Sequence, residues 1–544
     1  MTFEQDALSA PPRAKLVTRA YRAGPLGLAS AYFLLVGLTL SPLFWTRIPA
    51  LVDYPNHLAR MWILVHGSDI PTLASNYVAH WRLVPDLAMD LIVPPLAHLI
   101  GVEPAGRVFI ALTMLALVAG TIALHRVLHG RVGLWPLCSL LFVYNAVLYW
   151  GFLNCLFGMG IGLFLFAAWI ATRAWPTLWR IPIFAAAASV LFCLHLFAFG
   201  FYGLLVASYE VGTVWRARPF SIAGFAALCR AALQFAPGLL LWWASLGNGG
   251  PSLTLYGSPQ MKLYAALAPI TFGSVSLPFD HVLFLFVAGF WLAAQTARSL
   301  SVSPQMKFPL AVTFAAAILM PNWLNGSAFA DIRLPAILPF LLIAGARLDA
   351  PKLRLITPFA VAALAFLALR LWTVTDTWRD YDAEFNEFRA ADRVIAPGSR
   401  VLVVAARLSA SELSLAGVPR AFAIRQDNNF THMAAFAIID RSVFIPYLFT
   451  GWTSVSPTTR NAGLFASSGS PLTPEQLAAS ALMDGPDSPY AKPGLLGERP
   501  YWRDWRRHFD YLVWIGFDDS QPPLDSRLKR VGGGSFFAID RILR

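Results

Sequence analysis

The chain has 544 residues, of which 57% are hydrophobic and only 13% charged, and it carries a formal net charge of +12. A soluble globular domain has about a quarter of its residues charged, so this composition excludes an ordinary soluble enzyme and predicts a polytopic α-helical membrane protein. In a soluble chain +12 would suggest nucleic acid; here the cations are first explained by the rule that Lys and Arg stay on the cytoplasmic side, and no nucleic-acid partner is expected.

The first apolar run, Pro25 to Trp45, follows Arg13, Lys15, Arg19 and Arg22. It reaches the roughly twenty residues that a bilayer requires, and it reads as an uncleaved signal anchor with the N-terminus in the cytoplasm. Residues 47–103 then form one long outer loop. Within it, Asp86 to Ile100 contains two acids, Pro94 and Pro95, a poor spanning helix but a suitable interfacial or re-entrant one.

Further apolar segments run from Ala105 to Leu124, Leu134 to Trp150, Phe152 to Thr172, Ala227 to Leu246, His281 to Ala297, Phe308 to Trp323, Arg333 to Ala346 and Ile356 to Val374. The stretch Ile181 to Val214 is too long for one span and is split at His195. That split leaves Arg126, Arg131, Arg173 and Arg180 on inner loops, as the distribution of cations demands. The expectation is about eleven spans, with the C-terminus outside.

After Val374 the chain turns polar. Asp376 to Ile395 reads as an amphipathic helix, and Arg400 to Val404, Tyr511 to Phe517 and Ser535 to Ile542 as strands. Thr473-Pro474-Glu475-Gln476 has the pattern of a capping box. Residues 1–374 are thus expected to form the membrane domain and 375–544 an extracytoplasmic α/β domain. Cys138, Cys155, Cys193 and Cys229 lie in apolar segments at spacings that suit neither a metal site nor a disulfide framework, and read as packing residues.

Polar side chains collect on the outer side. Asp53, Tyr54, Asn56, His57 and Arg60 follow the first span, and Asp86, Asp90, His195, Asp331 and Arg333 come later. An ionisable group at mid-membrane costs on the order of 3 kcal/mol unless paired or wet, so such a cluster marks a working site. If residues 53–60 are helical, Asp53, His57 and Arg60 share a face, and His57 can orient Asp53, assist a phosphate or bind a divalent metal. Asp86 and Asp90, at i and i+4, would share a face of their own and hold a metal or the acceptor, the plainer reading being a solvated face. The plainer readings are a turn at Asp53 to Asn56, a snorkelling Arg60, an Arg333 paired to Asp331, and a packed His195. In the C-terminal part, Asp427 to His432 is polar enough to touch a glycan and reads as a loop.

This layout resembles the GT-C glycosyltransferases: an acid-bearing loop after the first span, about eleven spans, a late Asp331-Ile332-Arg333-Leu334-Pro335 and a trailing domain. The group includes protein O-mannosyltransferases and the aminoarabinose transferase of lipid A. The resemblance covers residues 1 to 375 and implies transfer of a sugar from a polyprenyl-phosphate carrier to a glycan, lipid or protein outside the cytoplasm of a bacterial inner membrane. It makes Asp53 the first-loop acid and Arg333, with Arg60, the partner of the donor phosphate. The chemistry asks for the same types: a carboxylate to take the acceptor proton and a guanidinium for the leaving phosphate. The competing expectations are a transporter or flippase for a lipid-linked glycan and a non-catalytic assembly protein.

Overall fold

The computed structural model describes residues 25–217, 221–245, 254–273, 277–324, 327–349, 356–406, 428–450, 454–464, 469–479, 501–517, 523 and 526–544. The N-terminal cations and Arg218, Lys352, Arg354 and Asp427 lie outside these residues.

The structure is mostly helical. Seven helical segments among the described residues are long and apolar enough to cross a membrane: Val102–His129, Leu153–Ala171, Thr177–Leu194, Leu196–Arg216, Ile222–Ala244, Phe279–Thr296 and Ile356–Val394. Several of them present Trp, Phe and Leu side chains outward, among them Leu178, Phe225, Trp243, Leu285 and Trp372, a surface suited to hydrocarbon and not to water.

The remaining four expected spans fall short. Pro25–Thr39 has 15 helical residues, and Lys307–Leu319 and Arg333–Gly345 have 13 each. Thirteen residues rise only about 20 Å against a hydrocarbon core of about 30 Å. The fourth, Leu134 to Trp150, is a 3-10 helix over Trp135–Phe142 and a single turn over Ala146–Tyr149. Asn145 explains the break: its Oδ1 accepts from the amides of Val147 and Leu148 at 3.0 Å each, while its Nδ2 donates to Phe142 O. A side chain that captures backbone groups in this way competes with a continuous helix.

The division at His195 holds. Thr177–Leu194 ends there on an extended residue, and His195 Nδ1 accepts from Phe197 N at 3.0 Å, capping the next helix. The segment 47–103 contains two 13-residue helices, α1 (Tyr54–His66) and α2 (Ala88–Ile100), with a single helical turn over Pro71–Ala74 between them, followed by the long α3 (Val102–His129). Asp376 to Ile395 is not a separate helix: it continues the last span as one 36-residue helix, α4 (Ile356–Ala391), on which Trp378, Tyr381, Phe385 and Phe388 form the buried stripe.

The C-terminal sheet has four strands in the order β1 (Val401–Ala405), β2 (Tyr511–Ile515), β4 (Phe537–Ile542), β3 (Leu528–Gly533), with β1 parallel to β2 and the other pairs antiparallel. Val513 lies opposite Val403 on one side and Ile539 on the other. The capping box forms as expected: Gln476 N donates to Thr473 Oγ1 and Thr473 N to Gln476 Oε1.

The early segment and this sheet domain are joined. Tyr77–Ala79 pairs antiparallel with Val455–Pro457. Asn76 Nδ2 donates to Ser442 O, and the ion pairs Arg47–Glu103, Glu103–Arg389 and Arg389–Asp440 run across the seam at 2.6–2.7 Å.

Within the helical part, α3 and the helix Leu153–Ala171 cross at glycines. A Cβ on Gly160 would fall 2.6 Å from the Ala116 carbonyl carbon, and one on Gly120 would fall 2.7 Å from Gly160 O. Gly160→Val should therefore cost at least about 1–3 kcal/mol, read as a lower thermal midpoint by size-exclusion after heating. Gly133→Ala, with open space around it, should leave the midpoint unchanged; equal behaviour of the two variants would contradict this crossing.

Candidate active site

Asp53 stands at the start of α1, where an aspartate ordinarily accepts from the first free amides of the helix. It makes no such side-chain bond here. Its Oδ1 lies instead 3.3 Å from His432 Nε2, a residue of the C-terminal domain. His432 Nδ1 is 3.1 Å from Asn56 Nδ2, and Asn56 is held by two backbone groups, accepting from Phe449 N at 2.9 Å and donating to Tyr447 O at 3.2 Å. The rings of Tyr447 and Phe449 flank His432. The structure therefore brings Asp53 and Asn56 together with a histidine that the sequence reading left in a loop.

His57 does not take the Asp53-orienting role expected of it; His432 faces the carboxylate. The His57 ring lies against Phe449, and its Nδ1 is buried with no partner among the described residues. Burial, reinforced by Arg60 and His432, holds its pKa well below 6.5, opposed by a ring hydrogen bond to the Gly151 backbone.

Arg60 is likewise committed elsewhere. It forms an ion pair of 2.7 Å with Asp90, both side chains fully excluded from solvent, and Asp90 Oδ2 accepts from Ser454 Oγ of the C-terminal domain. Tyr54 packs its hydroxyl against Gly106 of α3.

Asp86 and Asp90 do not share a helix face, because Asp86 precedes α2 in a left-handed conformation, φ 75°. Such a φ is uncommon for a non-glycine residue, and Asn154 fixes it: Asn154 Nδ2 donates to both the carbonyl and Oδ1 of Asp86, while its Oδ1 accepts from Met89 N. Asp86 Oδ1 also lies 3.7 Å from His195 Nε2, and 41% of its side chain stays exposed. Burial in the surrounding protein raises its pKa, with Arg60, Asn154 and Arg333 opposing. His195, 15% exposed, is held well below the ordinary histidine value by desolvation, with Arg333 adding to it.

Arg333 heads the helix Arg333–Gly345, is 5% exposed, and donates to Ser327 Oγ at 2.6 Å and Ala328 O at 3.2 Å. It does not pair with Asp331, which meets Lys262 and Asn322. No carboxylate of the described residues lies within ion-pair distance of Arg333, and its Nε is buried without a partner. Its guanidinium lies over the rings of Phe152 and Phe197.

The two clusters meet at Gly151-Phe152. Gly151 has φ 82°, and a Cβ there would fall 3.0 Å from Asp53 N, so only glycine lets the turn approach Asp53. The next residue, Phe152, carries Arg333 4.8 Å above its ring. One turn thus touches the Asp53 backbone and Cβ through Gly151 and the buried Arg333 guanidinium through Phe152.

The four cysteines are free, and Cys155 lies beside Arg333 while Cys229 is exposed. Among the described residues no three His, Cys, Asp or Glu side chains gather as a metal site. No family model, curated protein or solved structure matches the chain.

His57 gives a pH test. The unfolded chain protonates this position as the pH falls through about 6.5, whereas the folded chain keeps it neutral, so acidification costs up to about 1.4 kcal/mol per pH unit. Between about pH 8 and 5, the thermal midpoint of His57→Gln should fall less steeply than that of the native chain; identical slopes would contradict a buried neutral His57.

Proposed function

We propose that this chain is a membrane glycosyltransferase that moves a sugar from a polyprenyl-phosphate donor to a hydroxyl of an envelope glycan, lipid or protein. In this reading the seven apolar helices and their shorter companions form a GT-C-like bundle in a bacterial inner membrane, with the N-terminus cytoplasmic and the sheet domain outside.

The observation that carries the proposal is Arg333: a buried guanidinium that, among the described residues, has no carboxylate in ion-pair reach and an Nε without a partner, on the Phe152 ring next to the Gly151 that touches the part-exposed Asp53. A buried guanidinium held by Ser327 Oγ and Ala328 O and lacking an ion-pair partner among the described residues is costly, and a phosphate monoester or diester supplies a close counter-charge with two-pronged geometry. The lipid tail of the donor suits the apolar helix faces.

The acceptor oxygen attacks the anomeric carbon and gives its proton to Asp53, while the bond from that carbon to the phosphate oxygen breaks with its electron pair. The charge gathering on the departing polyprenyl phosphate is met by Arg333. In this reading Asp86 and His195, 3.7 Å apart, hold hydroxyls of the sugar. Arg60 keeps the site together through Asp90 and takes no phosphate role. No step is routed through a divalent metal.

The test uses a strain lacking the gene, complemented with the native chain, Asp53→Asn or Arg333→Ala at equal membrane levels, with polyprenyl-phosphate sugars followed by mass spectrometry. The native chain should clear the lipid-linked donor, and each variant should slow its use by about a hundredfold or more. Arg333→Lys should recover only part, since an ammonium lacks the planar fork. Full restoration by Asp53→Asn would remove the transfer reading and favour transport of a lipid-linked glycan.

A further inference from the structure

We propose that His432 of the C-terminal domain is the positioning residue for Asp53, locked in a single tautomer by Asn56, so that the domain supplies part of the active centre. This rests on the glycosyl-transfer reading above.

The lock follows from counting donors and acceptors. Asn56 Oδ1 is occupied by the amide of Phe449, so the orientation of the side-chain amide is fixed and Nδ2 is the atom that faces His432. An amide nitrogen has only protons to give. His432 Nδ1 must therefore accept, which leaves the ring proton on Nε2, the atom 3.3 Å from Asp53 Oδ1. The imidazole is 95% buried between two aromatic rings, so it has little freedom to turn.

Asp53 shows the other half of the arrangement. Its helix-capping position is left unused, and the carboxylate is turned toward the C-terminal domain. Held from one side by Nε2–H, it presents its remaining lone pairs to the part-exposed edge where an acceptor hydroxyl arrives. In the transfer step the acceptor O–H bond breaks and its proton goes to Asp53. The new bond forms between that oxygen and the anomeric carbon, and the leaving pair stays on the phosphate. His432 keeps its own proton throughout, and its part is to fix the direction from which Asp53 accepts. Tyr447, whose ring flanks His432, and His57, on α1, are further titratable groups that face this pair, with Arg60 acting on His57.

Two measurements on the full-length chain test this. In lipid nanodiscs with ¹⁵N-histidine, the signal lost in His432→Gln should show an unprotonated Nδ1 and a protonated Nε2. Asn56→Asp, which puts a carboxylate beside Nδ1, should move it to a protonated Nδ1. A protonated Nδ1 in the native chain overturns the lock, whatever the reaction.

In membranes of the complemented strain, His432→Ala should lower the turnover of the lipid-linked donor by about ten- to a hundredfold with the donor KM unchanged. His432→Gln, which can place an N–H near the same oxygen, should lie above His432→Ala. Native turnover in His432→Ala beside a dead Asp53→Asn overturns the positioning role alone, whereas full turnover in Asp53→Asn overturns the transfer reading on which it rests.

Discussion

The ion pair between Arg60 and Asp90 holds the polar centre in place. Both side chains are wholly removed from solvent, at a separation of 2.7 Å. Desolvating two charges costs several kcal/mol each, and their attraction offsets this only when the geometry is tight and the remaining atoms are bonded. Asp90 is bonded further through Ser454, whereas Arg60 Nε and Nη1 are buried without a partner among the described residues, so the pair ties α1 to α2 and both to the C-terminal domain at a cost carried by the arginine. Removing either partner would leave a bare buried charge, which is why the relative positions of these three segments are strongly specified.

On that frame two carboxylates meet two histidines. Asp53 faces His432, and Asp86 faces His195. In each case Nδ1 is taken up, by Asn56 in one and by the Phe197 amide in the other, so that Nε2 turns to the acid. The Gly151-Phe152 turn lies against Asp53, with Arg333 above the phenylalanine. In the proposed transfer Asp53 is the base, His432 the imidazole that orients it and Arg333 the guanidinium that meets the phosphate.

Local chemistry was legible in the sequence. The break at His195, the capping box at Thr473, the early short helices and the strands around Val403, Val513 and Ile539 follow from periodicity, capping residues and apolar runs. What failed was of two kinds. Apolar content counted as spans where the backbone is interrupted, as at Asn145, or too short, as at Arg333–Gly345. Contacts between distant segments were invisible: His432 is 376 residues from Asn56 and Ser454 is 364 from Asp90. The polar run ending in His432 was the one available sign. Arg60 read as a free cation because its partner is thirty residues away, with a left-handed Asp86 between them breaking the expected helical face.

The most direct measurement is photo-crosslinking of the full-length chain in nanodiscs with a benzophenone-bearing polyprenyl monophosphate, mapped by mass spectrometry. The account predicts labelling of the peptides around Phe152 and Arg333, competed by unlabelled polyprenyl phosphate and lost in Arg333→Ala. Labelling that neither responds to competition nor depends on Arg333 would contradict it.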